Sequence, residues 1–353
     1  MDSALQELRH QVLQAHSAST PLRLRGAGTK DFYGERCEGT LLDMRGYFGV
    51  VDYEPSELVI TARCGTSLSE LEGLLAQHRQ FLAFEPPAFG GDPTIGGVIA
   101  AGLSGPRRFQ AGAARDFVLG AVLLCAQGEL LHFGGKVIKN VAGFDLSRLL
   151  CGSLGILGAI TEVSLKVLPL PRLEQTLQFE MAASEALALF NRWAGQPLPI
   201  SATAWYDGHA WLRLSGAPPA LRTACERLGG ELLDAEAASR FWRSLRDQTH
   251  PFFGHASTLW RLSLPSTAPQ IAGSGSQLIE WGGALRWCAS DQPAADMRQR
   301  AGAAGGTALH WRGGTAGGRF HSLSPVVLEI HRRLKSRFDP HGIFNPGRLI
   351  ADL

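Results

Sequence analysis

Leu5, Leu8, Val12 and Leu13 recur at helical spacing with polar residues between them, which predicts an amphipathic surface helix over residues 3–16. The period then changes to two. Pro21 to Leu24 reads as a short strand, and residues 40–64 alternate in the β manner through TLLDM, FGVVDY and LVITARC. Ser67 and Glu70 form a capping box that opens a helix with Leu68, Leu71, Leu74 and Leu75 on one face. The nearly continuous apolar run Phe117 to Ala126 suits a buried strand, followed by a Gln127-Gly128 turn and a second strand through Phe133. Ile160 to Val167 alternates again.

Pro169-Leu170-Pro171 marks a boundary, because composition changes there and all 8 tryptophans lie beyond residue 190. The pattern next gives a strand (176–180), a helix (184–193), strands at 202–206 and 210–214, a helix (219–228) and a strand (231–233). This is the β-α-β-β-α-β order of a ferredoxin-like unit. A helix over 237–246, the strands LWRLSLP and ALRWCA, a helix over 294–301 and the strand ALHWR continue an antiparallel sheet. A helix over 325–338 precedes DPHGIFNPGRL, whose prolines and glycines force a compact non-helical tail. The expected class is α+β, with domains at 1–171 and 172–320 and a C-terminal segment at 321–353.

Three glycine-rich segments interrupt these patterns. RGAGTKDFYG follows the first strand directly, but Asp31 stands where the dinucleotide fingerprint needs its third glycine. FGGDPTIGGVIAAGLSGPRRFQAGAARD has too much glycine for an ordinary helix or strand, and its N–H groups would be free to cradle a diphosphate along Thr94, Ile95, Gly96, Gly97 and then Ala100, Ala101 and Gly102. The third carries Gly152, Gly155 and Gly158 at three-residue spacing before a strand. One such segment reads equally as a flexible loop. Three, each beside a strand, suggest a long cofactor held by backbone and small side chains. Lys139, Asn140 and Asp145 read either as part of this surface or as a solvated turn.

Composition narrows the classes. With 45% apolar residues and 34 basic against 32 acidic side chains, the chain is neither disordered nor built for a polyanion such as nucleic acid. Six dispersed cysteines without a C-x-x-C pair fit reduced cytosolic thiols, and argue against disulfides, zinc or an iron–sulfur cluster. No export segment or membrane-spanning run is expected.

RGAGTK, DPTIGGVIAAGLSGPRR, KNVAGFDLSRLLCGSLGILGAITEVSLKVLP and DPHGIFNPGR together resemble the vanillyl-alcohol oxidase superfamily, with its PCMH-type FAD-binding domain. Within it they resemble the FAD-binding subunits of bacterial glycolate oxidase. The resemblance implies that Arg25, Gly26, Ala27, Gly28, Thr29 and Lys30 wrap the FAD diphosphate, that Thr94 to Gly97 with Ala101 and Gly102 continue along it, and that Asn140, Gly152, Ser153, Gly155 and Ile160 line its other side. Asn345 would approach as the C-terminus returns. It further implies a larger FAD-containing subunit and an iron–sulfur subunit as partners, and a cytoplasmic chain or one attached peripherally to the inner membrane.

Two departures matter. Many relatives tether FAD through a histidine in the first loop, where this chain has Thr29 and Lys30, so FAD is expected to bind noncovalently. The H-x-H-x-G-D-G-N type motif of related hydroxy-acid dehydrogenases is missing. Oxidising a 2-hydroxy acid needs a base and a carboxylate-binding cation. His250, His255 and His310 with Arg261 and Arg312 are the thin candidates, each read as readily as an ordinary structural residue, and the catalytic residues stay unassigned. Three readings remain: a glycolate-oxidising subunit dependent on partners, a self-sufficient hydroxy-acid oxidase, or a flavin-bound relay or structural subunit. No metal site is expected.

Overall fold

The computed structural model describes residues 2–135, 145–254, 257–271, 273–313, 318–351 and 353. Two compact units emerge. The first comprises residues 1–103, 113–169 and 322–353; the second comprises 104–112 and 170–321.

In the first unit the strands are β1 (Leu22–Arg25), β2 (Thr40–Asp43), β3 (Val50–Glu54), β4 (Val59–Arg63), β5 (Gln80–Phe81), β6 (Val118–Leu124), β7 (Leu130–Gly134), β8 (Ala159–Lys166) and β9 (Leu168–Pro169). Five form an antiparallel sheet in the order β3-β4-β8-β6-β7. β1 and β2 pair in parallel, and Phe344 adds a bridge to Leu22. The N-terminal helix Ser3–Ala18 buries Leu5, Leu8 and Val12 in a core shared with Leu22, Leu42, Leu124 and Phe344. Helix Leu68–Gln77 starts where the pattern placed it, with Glu70 N donating to Ser67 Oγ.

The second unit holds β10 (Leu173–Glu180), β11 (Ile200–Tyr206), β12 (His209–Gly216), β13 (Glu231–Leu232), β14 (Leu259–Ser263), β15 (Ser276–Glu280), β16 (Leu285–Ala289) and β17 (Thr307–Arg312). They form one antiparallel sheet in the order β13-β10-β12-β11-β15-β16-β14-β17. Read from either edge, each half has the 4-1-3-2 strand order of a ferredoxin-like unit. The two halves join through β11 and β15, with Trp205 opposite Ile279. The sequence pattern lacks β15, because SQLIE is too short and too polar at its start to stand out.

Residues 104–112, which the sequence reading leaves in the first domain, pack with the second unit. Trp281 Nε1 donates to Gly105 O at 3.0 Å, the buried Arg107 guanidinium engages Glu174 and Ser215, and Phe109 fills the space over Gly282.

Candidate functional site

The glycine-rich segments of the first unit converge on one cleft. Residues 24–31, 93–94, 96–97, 100–101, 154–155, 158 and 160 line it with Asn345 and Arg348, while Met44 and Cys64 contribute from neighbouring strand ends. Arg25, Gly26, Ala27, Gly28, Thr29, Lys30, Thr94, Gly96, Gly97, Ala101, Gly155, Ile160 and Asn345 all lie on it.

The middle segment is not the open cradle its composition suggests. Ile95–Ala101 is a helix capped by Thr94. Its leading N–H groups are engaged within the protein: Ile95 N donates to Thr66 O, Gly96 N to Cys64 O and Gly97 N to Thr94 Oγ1. The glycines serve close approach instead. A Cβ on Gly96 would lie 2.6 Å from Cys64 Cβ, and one on Gly26 would lie 2.1 Å from Thr94 Oγ1, so the first and second segments touch only because neither position carries a side chain.

Donors remain in the first loop. Among the described residues, the N–H groups of Ala27, Gly28 and Thr29 have no protein acceptor. Gly28 has φ +78, which turns the chain at that point. Arg25 pairs with Asp31 at 2.7 Å, and the Lys30 ammonium lies 5.5 Å from the Phe89 ring centroid. Arg348 holds this loop from the other side, donating to the carbonyls of Glu35, Asp31 and Tyr33 at 2.7, 3.0 and 2.6 Å. Arg348 thus anchors the second half of the loop by its carbonyls, while Ala27, Gly28 and Thr29 line the cleft. Arg348 lies in the quoted tail motif, but its role depends on a contact more than 300 residues away in sequence.

The third segment closes the helix end. Gly152 N donates to Ile99 O and Leu154 N to Ala100 O. Gly102 and Gly152 face each other behind the cleft, where a Cβ on Gly102 would sit 3.0 Å from Gly152 Cα. Neither lines the cleft, nor do Ile95, buried in the core, and Ser153, whose Oγ accepts from Gly155 N. Asn140 and Lys139 lie outside the described residues. Asp145 caps helix Leu146–Leu149, accepting from Arg148 N, and is held below its usual range despite burial by bonds from Ser147 and Arg148.

Asn345 ties the walls together. Its Oδ1 accepts from Leu24 N at 2.8 Å, and its Nδ2 donates to Leu154 O at 2.7 Å. Leu154 holds φ +51, an unfavourable value for a leucine, and the bond to its carbonyl helps fix that turn. Beneath, Lys335 inserts its ammonium among Ile156 O, Phe344 O and Asp339 Oδ2 at 2.7, 2.8 and 2.7 Å. Within the cleft, burial and then Glu162 push the Cys64 thiol well above its ordinary value, so it is protonated and a poor nucleophile.

The base and cation candidates do not assemble into a set. His250 sits edge-on to Tyr206 and Phe241, accepts from Phe252 N, and has its pKa lowered by burial. His310 is buried with its ring 4.9 Å from Trp260. Arg312 donates to Phe253 O, and Arg261 lies over Trp281 and Trp287. His255 lies outside the described residues. Among the described residues no cluster of three or more His, Cys, Asp or Glu could hold a metal, and no helix is long and apolar enough to cross a membrane.

Residues 4–134 match the family model described as FAD binding domain, and residues 320–349 match that of FAD linked oxidases, C-terminal domain. Glycolate oxidase subunit GlcE of Escherichia coli is 47% identical over 348 residues, covering 99% of this chain and 98% of that protein. Glycolate oxidase subunit GlcD of Bacillus subtilis is 35% identical over 160 residues, covering 44% of this chain and 34% of that protein. D-lactate dehydrogenase of Archaeoglobus fulgidus is 32% identical over 157 residues, covering 44% and 35%. A solved alkyldihydroxyacetonephosphate synthase, 15% identical, shares the fold with a TM-score of 0.67 over 97% of this chain and 75% of its own. Both matched segments contribute residues to the cleft, and the chain belongs to the GlcE family of FAD-linked oxidoreductases.

Proposed function

We propose that this chain is the FAD-binding subunit of a glycolate oxidase complex, holding FAD noncovalently in the cleft of its first unit and oxidising glycolate to glyoxylate together with a larger FAD-containing subunit and an iron–sulfur subunit. The observation that carries the reading is the first loop, where Ala27, Gly28 and Thr29 line the cleft between Arg25 and Lys30 with N–H groups that have no protein acceptor. Successive N–H donors with flanking cations suit a diphosphate. The walls suit ring systems, since Met44, Ile160 and Leu154 present apolar surface. Bound FAD supplies a two-electron acceptor for the hydride leaving C2 of a 2-hydroxy acid. This chain's residues orient the group: Asn345 and Arg348 set the loops, and Gly26 and Gly96 let them meet. Peripheral attachment to a membrane surface belongs to the same reading, as does a substrate-side role for residues 170–321.

The relay reading has one observation in its favour. Among the described residues no histidine lines the cleft, and the carboxylate that does, Asp31, is paired with Arg25, which favours a proton acceptor supplied from elsewhere. Anaerobic glycolate added to the FAD-loaded chain, alone and then with its partner subunits, separates the readings. Bleaching only with partners supports the complex; bleaching alone makes the chain a self-sufficient oxidase. In a complex that turns over normally after this chain alone has lost its FAD, a structural role replaces the proposal.

A further inference from the structure

Helix Pro325–Phe338 has an unusual relation to its own chain: across 14 residues, Lys335 is its one buried side chain. The opposite side is apolar and exposed. Val326, Val327 and Ile330 follow the i, i+1, i+4 spacing of one helical face, the exposed Leu323 comes just before the helix, and Val326 and Ile330 are 71% and 51% exposed. Such a stripe normally faces a core. At 3.6 residues per turn Val326 and Ile330 lie about 180° and about 140° around the helix from Lys335, so the residue that fastens the helix to the cleft wall and these two side chains point away from each other.

We propose that this stripe docks a different protein chain, the larger FAD-linked subunit of the complex, through an apolar groove with an acidic rim. The inference rests on the subunit reading above. Charge selects the occupant. Arg333 and Arg337 border the stripe, with Arg333 bonded to Glu329, and His331 and Arg332 add to a cationic helix. A second copy of this chain would bring like charges together across a two-fold axis, which disfavours self-association. A lipid surface fits less well, because the exposed stripe has no Trp, Tyr or Phe to anchor at the headgroup level. Val and Ile side chains, stiff at χ1, lose little rotamer freedom on docking to a protein. The docked helix is continuous with the cleft: Lys335 connects it to Ile156 O and Phe344 O, beside Asn345.

The test is co-purification of the full chain with the co-expressed larger subunit. Val326→Glu/Ile330→Glu should reduce recovered complex at least tenfold while the variant keeps its FAD content, because both side chains are exposed and the fold does not need them. Arg333→Glu/Arg337→Glu should weaken the complex and flatten its salt dependence. Undiminished complex with both variants overturns the inference. Loss of binding to vesicles of 30% phosphatidylglycerol in phosphatidylcholine, with the complex intact, also overturns it in favour of lipid. If the unaltered chain fails to co-purify, the subunit reading itself fails, an outcome distinct from the others.

Discussion

Asn345 Oδ1 accepts a hydrogen bond from Leu24 N at 2.8 Å, across 321 residues of sequence. With Nδ2 on Leu154 O, one amide fixes the end of β1 and the third glycine segment at once, and both flank the FAD-binding loop. Asn345→Ala would orphan a buried N–H and a buried C=O, at about 1–3 kcal/mol each. We expect a lower urea midpoint and FAD affinity weakened at least tenfold. Unchanged FAD titration would remove Asn345 from the cleft's framework.

Glycine substitutions should divide by surroundings. Gly96→Val places a branched side chain where a Cβ alone would come within 2.6 Å of Cys64 Cβ, so the capped helix must shift. Gly28→Val meets the Arg25 guanidinium and requires a strained φ of +78. Both should lose FAD, through displaced protein packing rather than by occupying cofactor space. Gly73→Ala, in an exposed helical position with nothing within 4 Å, should instead stabilise by about 0.5–1 kcal/mol. Equal melting temperatures for Gly96→Val and the unaltered chain would contradict the packing argument.

Lys335→Met would leave Asp339 charged and 1% exposed, facing only Ile343 N and Phe344 N. The expected loss is about 3–5 kcal/mol. Burial lowers the Lys335 pKa below 10.5, with Asp339 opposing the shift. Between the lowered folded value and 10.5 the unfolded chain therefore binds more protons, and this group makes stability rise with pH; its contribution falls as pH drops through the folded value. Urea unfolding followed as pH rises toward about 10.5 should show that rising limb in the unaltered chain and not in Lys335→Met. A difference independent of pH would mean the ammonium is not desolvated.

Acid precipitation should release all the flavin. Thr29 and Lys30 stand in the first loop, and the cleft's Cys64 is held as a thiol by burial. Flavin remaining on the washed precipitate would identify a covalent link.

Local pattern was enough for most elements and for a long backbone-held cofactor, while FAD itself was implied by the resemblance of the glycine motifs to a known family. Leu5, Leu8 and Val12 specified the first helix, and Ser67 the second, because caps and apolar periodicity act within a few residues. RGAGTK marked the loop whose N–H groups stay open. What each glycine does was not local. Gly102 and Gly152 are needed by each other, and Gly96 by Cys64, so composition indicated tight backbone without saying what approached it.

The sequence by itself therefore determined an α+β chain with glycine-rich loops gathered for a long cofactor, since turn chemistry, strand alternation and helix caps are short-range. Only the tertiary structure decided which N–H groups remain for a ligand, that residues 104–112 belong with the second unit, and that β15 joins two ferredoxin-like halves. It also turned Lys335, Asn345 and Arg348 into the cleft's supports. Each of these depends on partners more than 100 residues away, and a hydrogen bond or a van der Waals contact carries no trace in the spacing of either partner alone.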